Sequence, residues 1–573
     1  MSTTTAGRGP GGKRAGNGGG DSMLLKGLTL GDALRNIADA APATPIVFPQ
    51  RQQSITVTEL LSSAEDSARA FLNAGMAPQE VVGLLGVAGP ELLIAIFGIV
   101  LAGAAVSVLP AQTDIGGRQR HLRHLVAIAS TAQMRHIIAD SRNSELGRRL
   151  GEALPQTRVL PATLEPGGPR HLPTVGPDHV AVVQFTSGST SRPRGVVLTH
   201  STVLAGLRAI TLSAGFTQDD VFVQWVPHHH DMGLFGHVTQ ILNGVPSHVF
   251  EPQFFVRRPE KFLRYLADSR ATVVTGPNFA YDLLTRVATP DLADTLDLSS
   301  WRLAFNGAEP VSASTVRGFG AAFGAAGVAP TVMYPVYGLA EATLAASFPQ
   351  PGTTPRVVAV DRAELGSSQR AVLVSEHDPV AKLLVSVGMP VEGAHIRLVD
   401  EQGGVLGPGQ LGEAQVSGQM VTSGYLGDPE ATEGLLDHGW LRTGDLAFQL
   451  DGEYFIAGRR KEMAVVRGKN YFPDDAEAAV RQVAGVYRGN CVAVADTDSY
   501  GQESIALIVE TELLGREAIA LERDVAQKVI TALGMPNVHV HTVAPRWLTR
   551  TTSGKWQRLR AAERLHRGQR NGG

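Results

Sequence analysis

Between Leu92 and Leu109 the chain is apolar almost without a break, a length that reaches the threshold for a membrane-spanning helix. Gly98 and Gly103 interrupt this run, Pro90 and Glu91 precede it, and Pro110 ends it. Proline suits the first turn of a helix and glycine suits its end. The spacing therefore predicts a strand over 81–87, a helix from Pro90 to near Gly103 and a strand to Val108, rather than a membrane span. An apolar helix between two apolar strands describes a buried parallel α/β unit. Strand-like runs alternate with helical patterns further on, at Val180–Phe185, Asp220–Val226, Thr272–Val274, Arg302–Phe305 and Thr331–Tyr334. That alternation predicts an α/β fold of mixed or parallel sheets with covering helices. Around His395–Asp400 and Gly412–Ser417 the strands shorten and turns multiply, as expected of a β-rich subdomain. After Gly458-Arg459-Arg460-Lys461 comes a compact unit with a helix near Pro473–Val483 and strands near Val492–Ala495 and Ser504–Thr511.

Composition removes several classes of function. A chain of 573 residues corresponds to about four average domains, and its 43% hydrophobic content supports a large core. The formal net charge of −3 argues against a general nucleic-acid binder. The single cysteine, Cys491, sits in an apolar strand-like run and reads as a core thiol. Residues 1–22 are rich in Gly, Ser and Thr and read as a disordered tail with no signal peptide, which makes the cytosol the default location. Glycine is in excess, at 64 residues or about 11%, against an average of about 7%. The stretch from Arg546 to Gly573 holds eight basic residues and one acidic residue, Glu563, and reads as a solvated helix or an electrostatic surface for an acidic partner.

The strongest chemical signal is Phe185-Thr186-Ser187-Gly188-Ser189-Thr190-Ser191-Arg192-Pro193-Arg194-Gly195-Val196. It follows an apolar strand, sets hydroxyls among glycines and leads into a second apolar run. Freed backbone N–H groups beside hydroxyls form a concavity suited to phosphate oxygens, and arginine adds bidentate phosphate contacts. It is not a Walker A loop, because the required Gly-Lys-Ser/Thr is absent.

This loop resembles the phosphate-binding motif of the adenylate-forming superfamily, which includes acyl-CoA synthetases, peptide-synthetase adenylation domains and luciferases. Ser191 and Arg194 depart from the usual T-S-G-[ST]-[ST]-G-x-P-K-G. Further segments resemble the family's motifs in the family's order. The resemblance implies that Asn306-Gly307-Ala308-Glu309-Pro310 lines adenine. It implies that Tyr337, in Tyr337-Gly338-Leu339-Ala340-Glu341, stacks on adenine and that Glu341 holds Mg²⁺. By the same resemblance Asp445 and Arg459 take the ribose, Lys461 is the pivot between domains, and Lys555, in Thr552-Ser553-Gly554-Lys555, is the catalytic lysine. The implied architecture is a large N-terminal adenylation domain over 23–457 and a small mobile α+β lid over 458–573. Many of the glycines (Gly188, Gly195, Gly233, Gly307, Gly338, Gly444, Gly458 and Gly554) fall in these segments, and are expected to let backbone approach ATP.

The chemistry accounts for these residue types. A carboxylate becomes a usable electrophile once it is joined to AMP. Attack on the α-phosphate builds charge that fixed positive groups must balance. Lys555 supplies a point charge, Glu341 a hard oxygen for Mg²⁺, and Asp445 an acceptor for ribose hydroxyls.

Pro227-His228-His229-His230-Asp231-Met232-Gly233 invites a zinc reading, but consecutive histidines on an extended segment alternate in direction and leave the ligand set short. The segment instead resembles the superfamily's histidine motif beside the acyl carboxylate, with His230 nearest the substrate. His230-Asp231-Met232-Gly233-Leu234 and the segment from Gly276 through Asn278 to Asp282 are similar to one subgroup, the fatty-acyl-AMP ligases, which places Asp231, Met232, Gly233 and Asn278 near the acyl group. Forty-five positions separate Glu341 from Ser386, a wider interval than in most acyl-CoA synthetases. Apolar runs at Arg356–Val360 and Ala371–Val374 mark the extra stretch, about 346–385, as structured. In the subgroup such an insertion hinders use of CoA, so the implied acceptor is the phosphopantetheine thiol of an acyl carrier protein. No carrier attachment site follows residue 500, so the carrier is expected in trans. The resemblance thus implies ATP and Mg²⁺ as cofactors, a fatty acid as substrate, and a role in lipid or polyketide biosynthesis. A fatty- or aryl-CoA synthetase is the alternative, and an inactive acyl- or nucleotide-binding homologue the second.

Overall fold

In the computed structural model the apolar run divides as its prolines and glycines require. Helix Pro90–Leu101 and strand Ala105–Leu109 follow strand Val81–Leu85, and the two strands pair in parallel. The structure describes residues 27–111, 118–164, 171–186, 193–466, 469–481, 483–497, 503–535, 538–549 and 556–570. The expected tail over 1–22 lies outside them. Gly103 takes φ +78 just beyond the helix, the left-handed conformation that ends helices at little cost for glycine. Nearly every side chain of the helix is buried, so among the described residues this segment is core; none of their helices is long and apolar enough to cross a membrane.

These strands form the middle of a six-stranded sheet ordered Arg158–Pro161, His136–Ala139, Val81–Leu85, Ala105–Leu109, Val180–Thr186, Arg194–Thr199. All neighbours are parallel except the last two, which make an antiparallel pair. A seven-stranded sheet runs Met333–Pro335, Leu303–Asn306, Val273–Gly276, Phe222–Gln224, Ser247–Val249, Pro45–Phe48, Gln53–Thr56, parallel up to its final pair. One apolar core joins the two sheets through the helices between them, with Phe48 and Val249 from one sheet and Val106 and Val182 from the other. A five-stranded antiparallel sheet, built on Gly412–Ser417, Trp440–Leu450 and Glu453–Arg459, supplies the expected β-rich part.

Beyond Arg459, strands Cys491–Thr497, Glu503–Glu510 and Val538–Val543 form a separate sheet. Helices Pro473–Val480 and Arg516–Leu533 cover one face, with an apolar core that includes the buried Cys491. The basic stretch folds as helix Arg558–Arg570, whose Ala561 packs on the other face. Arg558 turns inward to Glu462, Asp474 and Glu477, so part of the basic charge is consumed within the fold.

Residues 346–385 contain a hairpin of Val357–Asp361 with Ala381–Val385 and the helix Arg362–Ser367. The second apolar run, Ala371–Val374, lies along the other edge of Val357–Asp361, bridging Val360 with Leu373, with the Val374 N–H donating to the Ala359 carbonyl and the Asp361 N–H to the Val372 carbonyl. Lys382 is buried against the C-terminal unit, with Nζ 3.0 Å from Asp475 and 4.1 Å from the Phe472 ring centroid. Arg362 donates to the Ala532 carbonyl at 2.7 Å.

Candidate active site

Four neighbouring parallel strands of the seven-stranded sheet end side by side, and the motif segments leave from those ends. Phe222–Gln224 leads into the histidines, Val273–Gly276 into Asn278, Leu303–Asn306 into Gly307–Glu309, and Met333–Pro335 into Tyr337–Glu341. The carboxyl ends of parallel strands are where α/β sheets bind ligands, because the connections diverge there. The second sheet contributes the hairpin of Val180–Thr186 and Arg194–Thr199, in which Thr186 stands opposite Arg194 at the base of the phosphate-loop segment. Ser187, Gly188, Ser189 and Thr190 lie outside the described residues, as do Lys555 and its motif neighbours.

Two carboxylates of the expected set have defined partners. Asp445 and Arg459 are cross-strand neighbours on the antiparallel pair Trp440–Leu450 and Glu453–Arg459. Arg459 Nε donates to Asp445 Oδ1 at 2.8 Å, and the Tyr337 hydroxyl donates to Oδ2 at 2.8 Å. Asp445 is 6% exposed. Its negative charge raises the Arg459 pKa further. Burial, followed by the nearby Asp445 charge, holds the Tyr337 phenol protonated, with its pKa well above the ordinary value. Lys461 lies two residues on from Arg459, exposed in the short turn Arg460–Glu462. Glu341 forms the second group: its Oε1 accepts from the Tyr425 hydroxyl at 2.8 Å, and the Arg194 guanidinium sits 5.3 Å from the centre of the Tyr425 ring.

The histidine segment carries a different chemistry. His230 is the N-cap of helix Asp231–Leu242, so the positive end of the helix dipole lies beside it. Asp231 folds its carboxylate onto the Met232 N–H at 2.8 Å. His228 and His237 share a hydrogen bond at 2.9 Å. Burial pushes the His228 imidazole down to about 4. Burial first, then the adjacent His230 and His228, holds His229 well below the ordinary value. These rings are neutral near pH 7, and among the described residues no three metal-ligating groups converge. Gln184, buried on the strand that enters the phosphate-loop segment, donates to the His229 carbonyl at 2.8 Å. It thereby ties the histidine segment to the hairpin of Val180–Thr186 and Arg194–Thr199.

Asn278 is engaged with the loop after strand Leu303–Asn306. Its Oδ1 accepts from Asn306 Nδ2 at 3.1 Å and from the Ser312 N–H at 3.0 Å, and its Nδ2 donates to the Pro310 carbonyl at 2.8 Å. Inside the loop so clamped, Ala308 takes φ +68.

The glycines require a correction. A Cβ at Gly338 would lie 1.5 Å from the Leu344 carbonyl oxygen, one at Gly233 2.1 Å from the Pro227 oxygen, and one at Gly307 2.7 Å from Val336 Cγ2. What demands glycine at these three positions is the protein's own backbone and side chains, folded tightly under the site, rather than room for a ligand. Sequence reasoning also missed Gln184, Thr422 and Tyr425, whose roles depend on contacts between distant segments.

Comparison with known proteins agrees with this arrangement. The model of the AMP-binding enzyme family matches residues 34–426. The medium-chain-fatty-acid–(acyl-carrier-protein) ligase JamA of Moorena producens (strain JHB) is 34% identical over 492 residues, covering 82% of this chain and 83% of the relative. A 4-hydroxyphenylalkanoate adenylyltransferase of Mycobacterium tuberculosis (strain ATCC 25618 / H37Rv) is also 34% identical, over 67% of this chain and 65% of its own length. A solved structure from work on fatty acyl-adenylate ligases from E. coli and L. pneumophila superposes with a TM-score of 0.89 at 29% identity, covering 96% of this chain and 99% of that one. With the family model matched over residues 34–426 and a relative 34% identical over most of both chains, this chain belongs to the family of AMP-binding enzymes.

Proposed function

We propose that the chain activates a fatty acid with ATP and passes the acyl group to the phosphopantetheine thiol of an acyl carrier protein. In the first step a carboxylate oxygen attacks the α-phosphorus, the bond to the bridging oxygen breaks, and pyrophosphate leaves. In the second step the thiolate attacks the acyl carbon, and the C–O bond to AMP breaks. The observation that carries this reading is the convergence of Tyr337, Asp445 and Arg459 in one hydrogen-bonded group on the strand-end edge that also bears Glu341 and the histidine segment. The names of the relatives, a fatty-acid ligase acting on a carrier protein among them, support it.

Each residue has a task in this scheme. Asp445 and Arg459 exchange part of their mutual bonding for the ribose hydroxyls. Arg194 and the phosphate-loop segment hold the triphosphate. His230 and the helix N-terminus beside it orient the acyl carboxylate. Lys555 balances the charge that develops between carboxylate and α-phosphate. A single carboxylate such as Glu341, completed by phosphate oxygens and water, is a donor set that suits Mg²⁺, and the ion would neutralise phosphate charge.

In the same reading residues 458–573 act as a lid turning about Lys461. The insertion at about 346–385, docked on that unit through Lys382 and Asp475, favours a carrier thiol over CoA as acceptor. The test measures fatty-acid-dependent ATP–pyrophosphate exchange, then offers CoA and holo-carrier protein side by side. Exchange followed by transfer to the carrier is expected; efficient acyl-CoA formation would overturn the acceptor. Lys555→Ala should lower adenylation by about 100- to 1,000-fold with an unchanged melting temperature, and retained adenylation would refute the lysine's role.

A further inference from the structure

Glu341 is held by a segment of the β-rich part that no motif marks, residues 420–426. Its backbone carbonyl accepts the Thr422 N–H at 2.8 Å, and its carboxylate Oε1 accepts the Tyr425 hydroxyl at 2.8 Å. Just after Glu341 the chain reverses through two left-handed residues, Thr343 at φ +46 and Leu344 at φ +82. Backbone of this kind in non-glycine residues persists only where its surroundings enforce it. The fully buried Thr343 is held from the same segment, its hydroxyl donating to the Met420 carbonyl at 2.6 Å. That segment is in turn fastened to the phosphate-side hairpin. The Thr422 hydroxyl donates to the Val197 carbonyl at 2.6 Å, the Val197 N–H donates to Gly424 and the Leu426 N–H to Gly195. It lies along Arg194–Thr199 as an added edge.

We propose that Tyr425 is a positioning residue for the metal-holding carboxylate. Its hydroxyl occupies Oε1 of Glu341, which directs the other oxygen to the cation. Its ring, beneath the Arg194 guanidinium, sets the carboxylate and the phosphate-side arginine in one register. Among the described residues no partner occupies Oε2 of Glu341. One oxygen bonded by a phenol and one left open is the arrangement by which an outer hydrogen bond orients a metal-ligating carboxylate. The proposal rests on the reading of Glu341 as the Mg²⁺ ligand.

The test uses Mn²⁺ as a paramagnetic probe and measures its affinity for the full chain in the presence of ATP by electron paramagnetic resonance. Tyr425→Phe keeps the ring and its stacking but removes the hydroxyl. It should weaken Mn²⁺ binding by about 10-fold, while ATP affinity measured in a chelator stays at its original value and the lost hydrogen bond lowers the melting temperature by only a few degrees. Unchanged Mn²⁺ affinity in Y425F, or a loss that merely follows a fall in folded fraction, overturns the proposal. Glu341→Gln separates the two readings: if E341Q loses Mn²⁺ and Y425F does not, only the role of Tyr425 fails. If E341Q keeps Mn²⁺, the metal reading fails with it.

Discussion

The two ends of the site manage polarity in opposite ways. At one, Asp445 is nearly buried, and Arg459 and Tyr337 each give its carboxylate a hydrogen bond. At the other, His228, His229 and His237 are buried with no carboxylate partner among the described residues, and desolvation holds them neutral. A buried charge survives only where partners replace water; without them a titratable group gives up its charge. In the proposed function the ionic end meets a nucleotide's hydroxyls and the neutral histidines border the acyl chain.

The largest effect should come from removing the charged end. Asp445→Ala deletes the proposed acceptor for the ribose and strands Arg459 opposite Tyr337. With hydrogen bonds to a charged group contributing about 1.5–3 kcal/mol each, kcat/KM for ATP in the exchange reaction should fall by about 100-fold. A fall below about threefold would mean that Asp445 is a structural carboxylate, and the contrast between the two ends would lose its functional half.

Acidification probes the neutral end. An unfolded imidazole titrates near 6.5, whereas buried His228 titrates near 4. Between these values the unfolded chain binds more protons than the folded one, so stability is present above about 6.5 and drains away as pH falls towards 4. For His228 alone the span corresponds to about 3 kcal/mol. Urea midpoints measured from neutral pH downward should decline across that window, and a flat profile would show that the imidazoles are not held neutral. The smallest expected effect belongs to Tyr337→Phe, which withdraws one of the two bonds to Asp445. It should cost about 1–2 kcal/mol of stability and raise the KM for ATP several-fold; no change in either would place the whole restraint on Arg459.

The same contrast shows what a sequence discloses. The strands, and the motif segments that leave their ends, are local patterns, so the α/β architecture and the positions of Tyr337, Asp445 and Arg459 could be read from residues close together in the chain. Tyr425 gave no such signal, because its partner Glu341 is 84 positions away, and Gln184 meets the His229 carbonyl across 45. Nothing near either residue announces the meeting. Glycine misled in another way. At Gly338 and Gly233 the composition correctly pointed to close approach, but what approaches is the protein's own carbonyl groups, and composition carries no record of the approaching atom.

The loop clamped by Asn278 bears on redesign of the chain for other acids. Three bonds from one amide fix residues 306–312 around Ala308 in a backbone conformation that alanine rarely adopts. Substitutions there would disturb the clamp and the site edge together, leaving little tolerance for variation. The acyl wall proposed over residues 225–232 holds no left-handed non-glycine residue, so a library meant to change which acid is accepted belongs at its apolar positions Trp225 and Met232, with His230, Asn278 and its loop left as the fixed frame.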